Sequence, residues 1–251
     1  MRRSLVVANW KMNGSRSTIN TLMDGLVTDL ARGINGVDVV VCPPYPYLQQ
    51  VAERAQGCEL ILGAQNAWMA AEGAFTGEVS PAMLTDFRVR YVIVGHSERR
   101  QLMVETDALV ASKFAAIQQA GMVPILCVGE TLEQRDAGQA EQVVAGQLQA
   151  VLDANGIAAF ERAVIAYEPV WAIGTGQSAT TAQAQQMHAF IRQWLREHDG
   201  LIADSTRLLY GGSVNAGNAH ELFGEPDIDG GLVGGASLDP QAFIRICHSV
   251  S

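Results

Sequence analysis

The sequence predicts an α/β fold, a single (β/α)8 barrel in which eight parallel strands are ringed by helices. Three observations lead there. Apolar runs of strand length recur eight times, and the segments between most of them carry helical signals. No proline- or serine-rich linker divides the 251 residues, so residues 1–251 are expected to form one barrel domain. The first strand runs into NWKMNG, where an open doubly wound sheet would be expected to show a GxGxxG turn.

The strand candidates are 5–9, 37–42, 60–64, 91–95, 123–128, 163–167, 207–210 and 228–233. They are continuous apolar runs, as in a parallel sheet covered on both faces. After the first, Ile19, Leu22, Met23, Leu26, Val27 and Leu30 recur at helical spacing. Ser80 followed by Pro81 predicts an N-cap and a first-turn proline. Residues 106–120 and 139–153 are rich in Ala, Gln and Leu and predict helices. A further helix is predicted over 181–197, ending at His198-Asp199-Gly200, and Pro240 opens a last one.

Composition excludes several classes of function. Against 17 Lys+Arg stand 26 Asp+Glu, a net charge of −9. Nucleic acid and anionic membranes need basic surface, so neither is expected as a partner. No apolar run approaches the ~18 residues of a membrane span. The start shows no secretory leader, because its apolar run is broken at Asn9 and Lys11. Cys42, Cys58, Cys127 and Cys247 are scattered without a zinc spacing, so a cytoplasmic protein with reduced cysteines and no zinc site is expected.

In a barrel, chemistry sits at the carboxyl ends of strands. Reading those ends gives Asn9 and Lys11, then Gln65-Asn66, then His96, Glu98 and Arg99 of GHSERR. Cys127 and Glu130, Glu168, Gly211-Gly212-Ser213 and Gly234-Gly235-Ala236-Ser237 follow. Each has a plain reading when taken alone. Glu168 pairs with a cation, His96 packs, Lys11 is solvated, and the glycine pairs make turns. Together they share one rim, and a chemical reading opens. Glu168 precedes Pro169-Val170-Trp171-Ala172-Ile173, an apolar loop that ends in Gly174-Thr175-Gly176 and has the makings of a lid. Under such a lid a carboxylate loses solvation and gains affinity for a proton, as a general base requires. His96 stands at a turn into a helix, whose N-terminus disfavours imidazolium, leaving a neutral imidazole to donate to a carbonyl oxygen.

The glycine pairs end the last two strands, where barrels commonly hold a phosphate on backbone N–H groups. Gly174 adds an N–H from the lid. Such a site needs few basic side chains, which suits the acidic balance. The remaining histidines, His188, His198, His220 and His248, read as surface residues. Trp194 and the methionines read as core or packing, and Cys127 as buried packing.

Taken in order, ANWKMNG, GAQN, GAFTGE, VGHSERR, CVGET, AYEPVWAIGTG, YGGSV and LVGGASL resemble the triosephosphate isomerase family from the first strand to the last. The resemblance implies interconversion of dihydroxyacetone phosphate and D-glyceraldehyde 3-phosphate without a cofactor, a step of glycolysis and gluconeogenesis. It implies Glu168 as the base, His96 as the neutral electrophile, and Asn9 with Lys11 binding the substrate. Gly174, Ser213, Gly234 and Gly235 would grip the phosphate, and Glu98 would support. It further implies a homodimer through the 66–78 loop, with Thr76 reaching the partner's site; Trp68, Met69 and Phe75 suit burial there.

Many family members carry an aromatic-glycine pair before a glutamate after GHSERR. Here Met103-Val104 precedes Glu105, which puts local packing and stability in question but not the chemistry. Two alternatives stand beside this reading. One is an isomerase of larger phosphorylated sugars, which would need a roomier mouth. The other is a barrel kept as a non-catalytic binding partner, which would tolerate loss of Glu168, His96 or Lys11.

Overall fold

The computed structural model describes residues 2–31, 33–34, 36–173 and 179–250. Strands β1 (Ser4–Asn9), β2 (Val37–Cys42), β3 (Leu60–Ala64), β4 (Tyr91–Val94), β5 (Val123–Val128), β6 (Val164–Tyr167), β7 (Arg207–Tyr210) and β8 (Gly230–Val233) form a closed barrel in chain order. Every pairing is parallel, and Leu5 beside Gly230 closes the ring. The expected strands agree to within two residues.

Both faces of each strand are buried, which explains the unbroken apolar runs. On β1, Leu5 and Val7 join Val40, Cys42, Ile93, Ile125, Cys127, Ala166 and Leu232 in one buried cluster inside the barrel. Val6 and Ala8 alternate with them and pack outward against the helices. The floor is polar and closed by charge. Arg207 donates to Asp38 at 2.9 Å and to the Tyr91 hydroxyl at 2.7 Å, and Arg3 reaches the other oxygen of Asp38 at 2.6 Å. The N-terminal end is thereby sealed, and the open end is where strands finish.

The ring of helices comprises α1 (Arg16–Leu30), α2 (Leu48–Arg54), α3 (Pro81–Thr85), α4 (Ser97–Leu102), α5 (Asp107–Gln119) and α6 (Leu132–Asp136). It continues with α7 (Ala140–Asn155), α8 (Thr181–His198), α9 (Gly200–Ser205), α10 (Ala219–Phe223) and α11 (Pro240–His248). The local signals act as read. Ser80 accepts from the Met83 N–H ahead of Pro81, Thr180 and Gln183 form a capping box, and Asp239 caps the helix that Pro240 opens. Asp199 ends α8 and caps α9 in turn. Among the described residues, no helix is long and apolar enough to cross a membrane.

Candidate active site

The strand ends bring Asn9, Lys11, His96, Ser213, Gly234 and Gly235 around one cavity of about 240 Å³, which Ala172 and Ile173 also line. Among its described lining residues Lys11 carries the formal positive charge. Its backbone has φ +50°, a strained conformation for a side-chain-bearing residue. Two contacts hold it there. Asn9 Oδ1 accepts the Lys11 N–H at 3.0 Å, and Gln65 Nε2 donates to the Lys11 carbonyl and to that of Cys42, both at 2.9 Å. The ammonium meets Glu98 Oε1 at 2.6 Å in a pair open to solvent, so this contact aims the lysine more than it stabilises the fold.

His96 is the N-cap of α4, and its ring is buried. The Glu98 backbone N–H donates to His96 Nδ1 at 3.2 Å. A nitrogen that accepts carries no hydrogen, so the ring is neutral and its N–H is on Nε2. That N–H points at Glu168 Oε1, 3.0 Å away.

Glu168 is 1% exposed. Besides His96, it accepts from the Ser97 N–H at 2.9 Å and from Ser97 Oγ at 3.1 Å. These contacts draw the carboxylate behind the rim. It lines a smaller cavity of about 130 Å³ with Ser97 and Val170, not the larger one. To take a proton from a molecule in the larger cavity it must let go of Ser97 and turn. Two glycines make its course possible. A Cβ on Gly129 would fall 1.8 Å from the Glu168 carbonyl oxygen, and one on Gly211 would fall 3.0 Å from Glu168 Cγ.

Glu130 is fully buried and braces the segment after Glu168. Its Oε1 accepts from Trp171 Nε1 at 2.9 Å, Arg135 at 2.9 Å and the Tyr167 hydroxyl at 3.1 Å, and its carbonyl accepts the Val170 N–H at 3.2 Å. Arg135 also lies over the Trp171 ring, 5.0 Å from its centre. The segment expected to act as a lid is described only as far as Ile173. Gly174, Thr175 and Gly176 lie outside the described residues. Cys127 is fully buried, and burial, then the nearby Glu168 charge, push its thiol well above the ordinary range, so it is packing.

Thr76 stands apart from the cavity in this chain, on an exposed loop. Other expectations need correcting. His188 is not a surface residue: it is fully buried on α8, 3.1 Å from the Asp227 carbonyl through Nδ1 and edge-on to Tyr167. One polar contact on the inward face sufficed to place it there. The methionines are not all core: Met12, Met69, Met83 and Met103 are exposed. Trp68, expected to be buried by a partner, is already half-buried within the chain, with its ring beneath the Lys113 ammonium at 5.4 Å. Where the glycine was missed, Val104 takes φ +55°, while Glu105 behind it is buried between Arg99 and Lys113. Leu102, Met103 and Val104 face outward.

Sequence reasoning passed over Ser97 and gave Gln65 and Glu130 no role. A serine directly after a histidine N-cap was the available sign for Ser97, because first-turn N–H and hydroxyl groups point out of the helix end. Gln65 and Glu130 already stood at strand ends; only their contacts distinguish them.

A buried carboxylate against a neutral imidazole N–H, beside one lysine and a glycine rim, defines a barrel enzyme built to move a proton next to a carbonyl while holding an anion. The family model for triosephosphate isomerase matches residues 4–250, and the chain belongs to that family. Proteins named triosephosphate isomerase from Alcanivorax borkumensis, Stenotrophomonas maltophilia and Thiobacillus denitrificans are each 54% identical to it. The alignments cover 99%, 100% and 100% of this chain and 98%, 99% and 100% of theirs.

Proposed function

We propose that this protein interconverts dihydroxyacetone phosphate and D-glyceraldehyde 3-phosphate, an intramolecular aldose–ketose isomerisation within glycolysis and gluconeogenesis. The observation that carries the reading is the 3.0 Å contact between His96 Nε2 and Glu168, at a cavity edge where Lys11 and the glycine turns converge. Glu168 removes a proton from the carbon beside the carbonyl. His96 donates its Nε2 hydrogen bond to the carbonyl oxygen as charge builds, and an enediolate forms. His96 passes a proton from the hydroxyl oxygen to the former carbonyl oxygen, and the same carboxylate returns the carbon-bound proton to the neighbouring carbon. Asn9 orients the substrate and Lys11 stabilises the developing charge. Ser213, Gly234, Gly235 and the lid's Gly174 hold the phosphate, and Glu98 aims Lys11. No cofactor takes part.

The match to triosephosphate isomerases over nearly the whole chain favours a triose over larger phosphorylated sugars. The intact set of Glu168, His96 and Lys11 disfavours a barrel kept for binding alone. Residues 1–251 act as one domain, in a cytoplasmic homodimer whose 66–78 loops each reach the partner's site through Thr76. Exposed Met69 and Phe75 on that loop support this arrangement.

The test is turnover of glyceraldehyde 3-phosphate coupled to a reductase that consumes dihydroxyacetone phosphate, with Glu168→Gln alongside. Fast turnover that falls by roughly 10²–10⁴ in the variant supports both reaction and base. Equal activity in the two would make Glu168 structural, and an inactive wild type would overturn the reaction.

A further inference from the structure

Gly129 is the first residue past the β5 ladder, whose last rung toward β6 is the Glu168 N–H donating to Val128 at 2.8 Å. Its peptide groups have left the sheet, yet both are paired by one side chain. Gln147, on α7 in the outer layer, accepts the Gly129 N–H at 2.8 Å through Oε1 and donates to the Gly129 carbonyl at 3.0 Å through Nε2. The side-chain amide thus replaces a neighbouring strand at the point where the sheet stops.

This short stretch of backbone touches both Glu168 and the segment that follows it. Gly129 lies so close under the Glu168 carbonyl that a Cβ would come within 1.8 Å of it. The next residue, Glu130, receives Trp171 and the Val170 N–H. Gln147, Gly129 and Glu168 also line the same small cavity of about 130 Å³, so the clamp forms a wall of the space that holds the base at rest.

We propose that Gln147 is a positioning residue for the reaction: its two-point clamp on Gly129 fixes the backbone platform from which Glu168 swings and on which the Trp171 segment rests. It touches no reacting atom. Without it, Gly129 has the backbone freedom of any glycine, and error at residue 129 passes directly to the base through the Glu168 carbonyl. The inference rests on the isomerase reading, and its test separates the two.

Two variants of the full protein decide it. Gln147→Met keeps the length of the side chain and removes both bonds. Amide exchange at Gly129 should rise, and kcat should fall roughly ten- to a hundredfold with KM within twofold of wild type. Gln147→Glu keeps the acceptor and regains the donor only when protonated. Its kcat relative to wild type should therefore climb as pH is lowered from about 9 to 6, a response that simple loss of packing does not produce. Unchanged exchange at Gly129 overturns the clamp whether or not the wild type turns over triose phosphates. With an active wild type, an unchanged kcat in Gln147→Met beside a lowered unfolding midpoint, or a flat ratio in Gln147→Glu, overturns the positioning role. Should Gln147→Met fail to fold, the pH ratio of Gln147→Glu alone decides.

Discussion

Ser97 holds the Glu168 carboxylate by two hydrogen bonds, one from its backbone N–H at 2.9 Å and one from its hydroxyl at 3.1 Å. Both belong to the position in which the carboxylate, the base of the proposed reaction, is withdrawn from the larger cavity. A contact made only at rest adds nothing to the transition state. Ser97→Ala keeps the N–H contact and loses the hydroxyl. It should destabilise the fold by about 1 kcal/mol and leave kcat within roughly threefold of wild type. Steady-state kinetics checks this; a loss as deep as that of Glu168→Gln would mean that the hydroxyl stays on the carboxylate through the reaction.

Val104 sits at φ +55° with its side chain in solvent, so it bears backbone strain with little packing in return. The strain is worth roughly 1–2 kcal/mol, and a glycine gives back part of that through the freer unfolded chain. Val104→Gly should gain a net ~1 kcal/mol and raise Tm by roughly 2 °C, with kcat unchanged. Denaturant unfolding at fixed protein concentration reads the change, and a lower midpoint would count against it.

Burial lowers the His188 imidazole from 6.5 to about 4, despite its bond to the Asp227 carbonyl. Between those values the unfolded chain takes up a proton that the folded one refuses. Stability from this group is therefore complete above pH ~6.5 and drains as pH falls toward 4, by about 3 kcal/mol at most. His188→Gln should flatten the slope of unfolding free energy over that window. An identical slope in both proteins would place the acid sensitivity elsewhere.

The exposed Met69 and Phe75 precede Thr76 on the loop proposed to enter a partner's site. Thr76→Arg puts a charge where that partner would close over it. Light scattering should show loss of the dimer, and turnover should fall with it. A dimer of full activity would move the interface off this loop.

The barrel was legible because its strands are buried on both sides, so nothing interrupts their apolar runs. Leu5 and Val6 face opposite ways and both are dry. The long helices were legible from period and caps. Helices α2, α6, α9 and α10 were not, because five to seven residues hold too few turns to show a period. Of the site, residues that end strands could be read in order. Ser97 and Gln147 act by where they reach, and reach is a product of the closed ring. His188 failed for a related reason: the sequence shows an imidazole but not which side of α8 it faces.

The polar floor and the pairing of Leu5 with Gly230 have a bearing on synthesis as well as on catalysis. Until Gly230–Val233 leave the ribosome, β1 and β7 have no strand between them, and each offers an unpaired edge rich in apolar residues to which another strand can add. Gly234 and Gly235, which line the larger cavity, follow that same strand, so the cavity is incomplete for as long as the edges are open. The edges close and the cavity gains its last wall in the same event: the docking of four residues between two waiting edges.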